Sequence, residues 1–257
     1  MSGAARPAPA GDVDYEAHGA GYAAIRRPDP RIAAQVHAAL GAAETVVNVG
    51  AGAGSYESED RPVVAVEPSA TMRAQRPRHR LPAVDATAER LPFDDGAFDA
   101  AMAMITIHQW SDLRRGLGEM RRVARGPVVI LTFDGAALDR LWLAGYAPEI
   151  VVAEARRMPP IDRVLAALGG TGTVADVPIP LDCTDGFTEA FYGRPERFLD
   201  PDVRRAQSAW GFVAPGVEDR AVAHLARDLD SGAWDARFGA LRTQPWFVGA
   251  MRLIVAL

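Results

Sequence analysis

Val46-Val47-Asn48-Val49-Gly50-Ala51-Gly52-Ala53-Gly54-Ser55 decides how the rest of the chain is read, because a short β-branched run ends in glycines at every second position. Glycine accepts the positive φ of a sharp strand-to-helix turn, and its missing Cβ lets an extended ligand lie on bare main chain. Thirteen residues after Gly54, a second β-branched run, Val63-Val64-Ala65-Val66, ends in Glu67. In an α/β sheet, an acid at the carboxyl end of the second strand faces the same crevice and can accept from both hydroxyls of a ribose. The pairing reads as a site for an adenosine-containing cofactor.

Spacing separates the two obvious cofactors of that kind. A dinucleotide fingerprint needs G-x-G-x-x-G with an acid about 20 residues on. Here the glycines run G-x-G-x-G, Ser55 takes the third glycine's place, and Glu67 arrives early. S-adenosylmethionine carries no phosphate and needs close backbone approach more than an anion cradle. Four ordered motifs extend the pattern: VVNVGAGAGSYE (46–57), VVAVEPSATM (63–72), VDATAERLPFDDGAFDAAMAMITIHQW (84–110) and EMRRVARGPVVILTF (119–133). Across residues 46–133 the sequence resembles the class I S-adenosylmethionine-dependent methyltransferases, in particular the small-molecule, methyltransferase type 11-like group. That resemblance implies an α/β, Rossmann-like sheet of seven strands, mostly parallel with an antiparallel closing edge, and a helical cap. One departure stands out: the family usually has an acid where this chain has Asn48, and an amide keeps a hydrogen bond but supplies no charge.

The chain has 257 residues, 49% of them hydrophobic, enough for a sizeable core. Its formal net charge is -5 and every one of its cations is an arginine, a pattern that we read as codon bias beside the abundant alanine, glycine and proline. An acidic chain with scattered arginines lacks the basic stripe that phosphate-backbone binding needs, so nucleic acid is not expected as a partner. Cys183 is the single cysteine, which leaves no disulfide framework and fits a reducing, cytoplasmic setting. No apolar run is long enough to cross a bilayer, so no membrane partner is expected. The histidines form no metal-binding spacing, and no metal is expected.

Hydrophobic periodicity and breakers divide the chain further. Residues 1–12, rich in alanine, proline and glycine, should be a mobile arm; 13–257 should form a single methyltransferase domain. Within it, 13–40 reads as an amino-terminal helical lid and 181–247 as a helical cap insertion, since a connection that long normally carries structure or function of its own. Strands are expected at 45–49, 63–67, 83–84, 98–105, 128–133, 173–179 and 251–256. Helices should fill 55–59, 69–75, 112–124 and 161–168.

The resemblance implies cofactor contacts from Asn48, Gly50, Ala51, Gly52, Gly54, Glu67, Pro68, Met72 and Ile105. It also implies that Asp85 and the Ala86 N–H read the adenine, though Asp85 could equally cap a turn. Arg27 looks like the arginine that some relatives send to the cofactor carboxylate, with Tyr22 closing over the methionine half; the alternative is a surface arginine beside a helix break. His108 follows the fourth expected strand and is the candidate base for an acceptor that must lose a proton, or else a helix cap. Tyr15, Trp110, Trp142, Tyr146 and Tyr192 are candidates for a small-molecule acceptor pocket, as are Phe187 and Trp210, although aromatics so spaced often form core. The function expected is methyl transfer to a small organic acceptor on O, N or C. A cofactor-binding protein that has lost transfer is the alternative, kept open by Asn48, and a nicotinamide-dependent oxidoreductase is a third reading.

Overall fold

A computed structural model describes residue 13 and residues 21–257 of the chain. The expected arm at 1–12 and Tyr15 lie outside the described residues. A six-stranded sheet forms from β1 (Val46–Val49), β2 (Val63–Val66), β3 (Ala100–Met104), β4 (Val128–Phe133), β5 (Thr173–Asp176) and β8 (Met251–Ala256), in the order β2-β1-β3-β4-β8-β5. The first four run parallel, and β8 is antiparallel to both β4 and β5. This is the mostly parallel Rossmann-like sheet with an antiparallel edge, but with six strands where seven are expected. The expected strand at 83–84 is reduced to one bridge, Val84 to Val66, because prolines and arginines at 77–82 leave too few residues to extend a ladder beside β2.

Alternation along the strands feeds two cores. Val46, Met102, Val129 and Leu131 face Ile32, Val36 and Leu40 of the helix α2 (Pro30–Leu40), which Asp29 caps and Gly41 ends. Val47, Ala101, Ala103, Val128 and Ile130 face Leu117, Met120 and Val123 of the helix α4 (Leu113–Val123). Both faces are covered, as a parallel sheet requires. Before α2 comes the single turn α1 (Tyr22–Ile25), and after β2 the short helix α3 (Ala70–Arg73).

Two expectations fail for local reasons. Residues 55–59 form turns and not a helix, since Gly54 (φ 95°) and Tyr56 (φ 64°) adopt left-handed conformations that a right-handed helix cannot propagate through. The strand expected at 173–179 splits. Residues 173–176 pair with β8, Pro178 interrupts, and β6 (Ile179–Pro180) pairs instead with β7 (Trp246–Phe247). That two-stranded ribbon forms the neck of the segment expected as a cap. Within the cap lie 3-10 turns at Thr188–Phe191, Pro195–Leu199 and Ser208–Phe212 and the helices α7 (Pro201–Arg205), α8 (Val217–Asp230) and α9 (Ala233–Phe238). Between β4 and β5 stand α5 (Pro148–Arg157) and α6 (Ile161–Ala167).

Candidate active site

The bend after β1 is made of main chain. Gly50 has φ 69° and sits against Thr106, so that a Cβ there would collide with the threonine hydroxyl; a Cβ on Gly52 would lie 3.3 Å from Met72 Cε. The N–H groups of Gly50 and Ala51 both reach the Val66 carbonyl at 2.9 Å, joining the bend to β2. At the end of β2, Glu67 accepts from Gly52 N (2.8 Å) through Oε2 and from Ser69 N (2.9 Å) through Oε1. Burial raises the pKa of Glu67, against the opposing pull of those two N–H bonds. Each oxygen keeps a lone pair for a ligand hydroxyl. Arg73 then laces the neighbouring turn, donating to the carbonyls of Glu67 and Pro68 (2.8 Å each) and pairing with the exposed Asp85 at 2.9 Å.

Asn48 is fully buried beside the bend, where its Nδ2 donates to Glu57 Oε1 at 3.0 Å. Glu57 in turn takes a two-point contact from Arg76 (2.9 Å for both) and a further bond from Arg80 (2.8 Å), which also donates to the Gly54 carbonyl at 3.0 Å. Burial pushes the Glu57 carboxyl up, but Arg76, Arg80 and Asn48 outweigh it and hold the pKa below the ordinary value. The carboxylate missing at position 48 is thus present in the same cluster, brought in from nine residues along the chain. Asn48 Oδ1 is buried with no hydrogen-bond partner among the described residues. A free acceptor, a main-chain cradle and a carboxylate with spare lone pairs suit a ligand bearing an amino group and a ribose, and the residues fit S-adenosylmethionine.

Beyond this crevice a pocket opens at the carboxyl end of β3 and β4. It holds about 750 Å³ of empty space, its open mouth included, between Ile105, Phe133, Leu138, Leu141, Ile150 and Phe187 on the apolar side and Tyr22, Arg26, His108, Glu154, Glu189 and Gln207 on the polar one. Ile105 carries φ 53°, an uncommon value for a β-branched residue, at the point where the strand turns into the pocket wall. Arg26 donates to Asp185 (2.7 Å) and to the Tyr22 hydroxyl (2.7 Å), while Tyr56 donates to the other Asp185 oxygen at 2.7 Å. His108 has its Nδ1 buried without a partner among the described residues, and burial, with Arg157 and Arg26 nearby, depresses its pKa to about 3.

Several expected positions are not where the sequence reading puts them. Arg27 is exposed, and the arginine lining the pocket is its neighbour Arg26. Trp110 packs against Gly116 and Ala88 on the α4 side of the sheet, away from the pocket. Trp142 donates to the Tyr192 carbonyl (2.8 Å), Tyr146 to Asp228 (2.8 Å) and the Tyr192 hydroxyl to the Gln244 carbonyl (2.6 Å). These three rings are core: each spends its polar atom on holding the cap together. Phe187 does line the pocket; Trp210 does not. Missed by sequence reading were Arg26, Glu57, Glu189 and Gln207. Glu189 left one trace, a lone charge inside the apolar run Phe187-Thr188-Glu189-Ala190-Phe191-Tyr192. Among the described residues no group of three or more His, Cys, Asp or Glu is placed to hold a metal ion.

Comparison with known proteins agrees with this geometry. A family described as a methyltransferase domain matches residues 47–130. A crystal structure from Anabaena variabilis, described as a methyltransferase from an antibiotic biosynthesis pathway, superposes with a TM-score of 0.85 at 28% identity, covering 91% of this chain and 99% of that one. A demethylmenaquinone methyltransferase of Mycolicibacterium gilvum is 41% identical over 73 residues, which is 28% of this chain and 32% of the relative. A ubiquinone/menaquinone biosynthesis C-methyltransferase of Citrifermentans bemidjiense is 46% identical over 55 residues, 21% of this chain and 23% of the relative. The matches thus span a third or less of these curated relatives' lengths. The glycine bend, the β2 carboxylate and the sheet order agree with these likenesses, and residues 47–130 match a methyltransferase domain of the class I, S-adenosylmethionine-dependent kind.

Proposed function

We propose that the chain transfers a methyl group from S-adenosylmethionine to a small-molecule acceptor held in the pocket above β3 and β4. The observation that carries this reading is the continuity of the two sites. Gly50 of the bend lies against Thr106, and the flanking Ile105 and His108 line the acceptor pocket. When bound, the cofactor supplies an activated methyl group and its own leaving group, so the protein's work is to position the partners and exclude water. Glu67 would accept from the ribose hydroxyls, Asn48 Oδ1 from the amino group, and Asp85 with the Ala86 N–H would meet the adenine. Arg26, not Arg27, suits the methionine carboxylate: its Nη2 donates no hydrogen bond among the described residues. Of the lid expected at 13–40, the turn Tyr22–Ile25 and Arg26 would close over the pocket while α2 packs on the sheet, and 181–247 would act as the cap.

A pKa near 3 makes His108 a neutral imidazole at physiological pH and a weak base. Its unpaired Nδ1 is better suited to orienting a polar group of the acceptor than to carrying a proton away. The acceptor we favour is a specialised metabolite with a largely apolar body. The description of the Anabaena relative supports that reading, as does the aliphatic and aromatic half of the pocket. The chain's acidity supports a small molecule over nucleic acid.

Isothermal titration with S-adenosylhomocysteine tests the cofactor half: micromolar association is expected, weakened about tenfold or more in Glu67→Gln, where a charge-assisted acceptor is lost. No association with either S-adenosylmethionine or S-adenosylhomocysteine would overturn the reading. Incubation with labelled cofactor and a metabolite library tests the other half, and binding without any transfer would favour a protein that has lost the reaction.

A further inference from the structure

Five carboxylates are buried among the described residues: Asp29, Glu57, Glu67, Asp185 and Glu189. Three are neutralised by arginines, Asp29 by Arg31, Glu57 by Arg76 and Arg80, and Asp185 by Arg26. The two without an ion pair each line a site, Glu67 the cofactor crevice and Glu189 the acceptor pocket. An uncompensated buried charge costs stability, so a side chain kept in that state calls for a reason beyond packing.

Glu189 projects from the 3-10 turn Thr188–Phe191 toward the start of β8. Ala250 N reaches both oxygens at 2.8 and 3.0 Å, and the Met251 N–H also bears on the carboxylate. Gly249 makes room for it, since a Cβ there would strike the carboxylate. A carboxylate has about four lone-pair sites, so these two N–H groups leave acceptor capacity unused. Arg252 on β8 is committed to Asp176 (3.0 Å) and Asp134 (3.5 Å), and it and Arg140, on the turn after β4, act on Glu189 through their charge without an ion pair. From the pocket side Arg26, His108 and Glu154 face the same space. Beside Glu189, Gln207 accepts from the Thr188 hydroxyl at 3.1 Å and keeps its buried Nε2 without a partner among the described residues. The apolar pocket therefore has one polar corner, with a carboxylate to take a proton and an amide to donate to an oxygen.

We propose that Glu189 is the catalytic base, accepting the proton of a hydroxyl on an otherwise apolar acceptor while Gln207 donates to that oxygen; the proposal rests on the methyltransferase reading above. In the step, the hydroxyl oxygen bonds to the methyl carbon and the carbon–sulfur bond breaks with its electron pair kept by sulfur. The proton passes to Glu189, so the positive charge of the sulfonium and the negative charge of the carboxylate disappear together. Burial lifts the Glu189 pKa to about 7, opposed by the Ala250 N–H and by Arg252, which suits a base working near neutrality.

Two phenols of similar size and different acidity test this with the full chain and S-adenosylmethionine. 4-Ethylphenol must lose its proton during the reaction, whereas 4-nitrophenol is already ionised at mildly alkaline pH. In Glu189→Gln, which keeps an acceptor for Ala250 N, turnover of 4-ethylphenol should fall about 100-fold, the usual worth of a general base, and turnover of 4-nitrophenol less than threefold. In the unaltered protein, turnover of 4-ethylphenol should rise with pH through about 7, a readout that needs no variant. Calorimetry on protein saturated with S-adenosylhomocysteine gives a readout apart from turnover. The variant should bind 4-ethylphenol about tenfold more weakly and its methyl ether unchanged. Equal loss for both phenols, no loss for either, or failure of the unaltered protein to methylate any phenol while it binds S-adenosylhomocysteine would overturn the proposal. Failure to bind S-adenosylhomocysteine would overturn the methyltransferase reading itself.

Discussion

The cofactor crevice and the acceptor pocket share one edge of the sheet but are made of opposite materials. Residues 48–86 build the crevice, mostly from main chain, and its buried charge at Glu57 is cancelled on the spot by Arg76 and Arg80. The pocket gathers side chains from Tyr22 to Ala209, and it keeps a carboxylate without a cation and two buried nitrogens without partners among the described residues. The crevice leaves open only acceptors that a fixed cofactor would fill, Glu67 and Asn48 Oδ1, both held by main chain or by a neighbouring ion-pair cluster, whereas the pocket leaves its polar groups on side chains from distant segments.

The sharpest way to break that contrast is at Glu57. If its role is to close the electrostatics of the crevice, Glu57→Ala leaves two largely buried guanidiniums facing each other and should cost about 3–5 kcal/mol, read as a shift in denaturant midpoint at constant slope. Restoring the family's usual acid with Asn48→Asp should also destabilise, because two carboxylates would then meet at about the 3.0 Å now spanned by an amide hydrogen bond. Asn48→Asp combined with Glu57→Gln should recover most of that loss. If Asn48→Asp alone is neutral, the acid has not been relocated.

Glu189 should show the opposite behaviour, and pH exposes it. Its folded pKa of about 7 lies above the ordinary 4.5, so the folded state holds the proton more tightly than the unfolded one between those values. That stabilisation is complete below about pH 4.5 and is lost as pH rises through 7. At about 1.4 kcal/mol per unit, the unaltered protein should lose up to about 3 kcal/mol relative to Glu189→Gln across the window. Paired denaturation curves at pH 5 and 8 measure it, and a pH-independent difference would mean that the carboxylate is compensated after all.

The same contrast explains what the sequence made legible. Gly50, Gly52, Glu67 and the strands at 128–133 and 251–256 could be read because each is fixed by local rules: a positive φ, a strand end, a run of apolar residues. Glu57 was hidden because a turn, not a helix, folds it back onto Asn48. Arg26 was hidden because choosing between it and Arg27 requires the rotation of a single-turn helix that ends at Ile25. Glu189 and Gln207 belong to a segment of short 3-10 turns, where no period tells inside from outside; Glu189 is held by Ala250, 61 residues later and just before β8, and Gln207 by Thr188.

The cap aromatics offer the smallest and most selective test. Trp142, Tyr146 and Tyr192 looked like pocket walls by residue type, yet Trp142 meets Tyr146, Phe198 and Trp234 edge-on at 5.3–5.7 Å and donates its only N–H to the Tyr192 carbonyl. A ring so employed has nothing left to offer an acceptor. Trp142→Phe would strand a buried carbonyl and thin the packing at the neck of the cap, so about 1–2 kcal/mol of stability should be lost. The Michaelis constant for a phenolic acceptor should stay within twofold, because the pocket wall is made by Leu141 and Leu143 on either side of it. Stability unchanged with a large rise in that constant would put Trp142 back in the pocket and move the boundary between cap core and acceptor site.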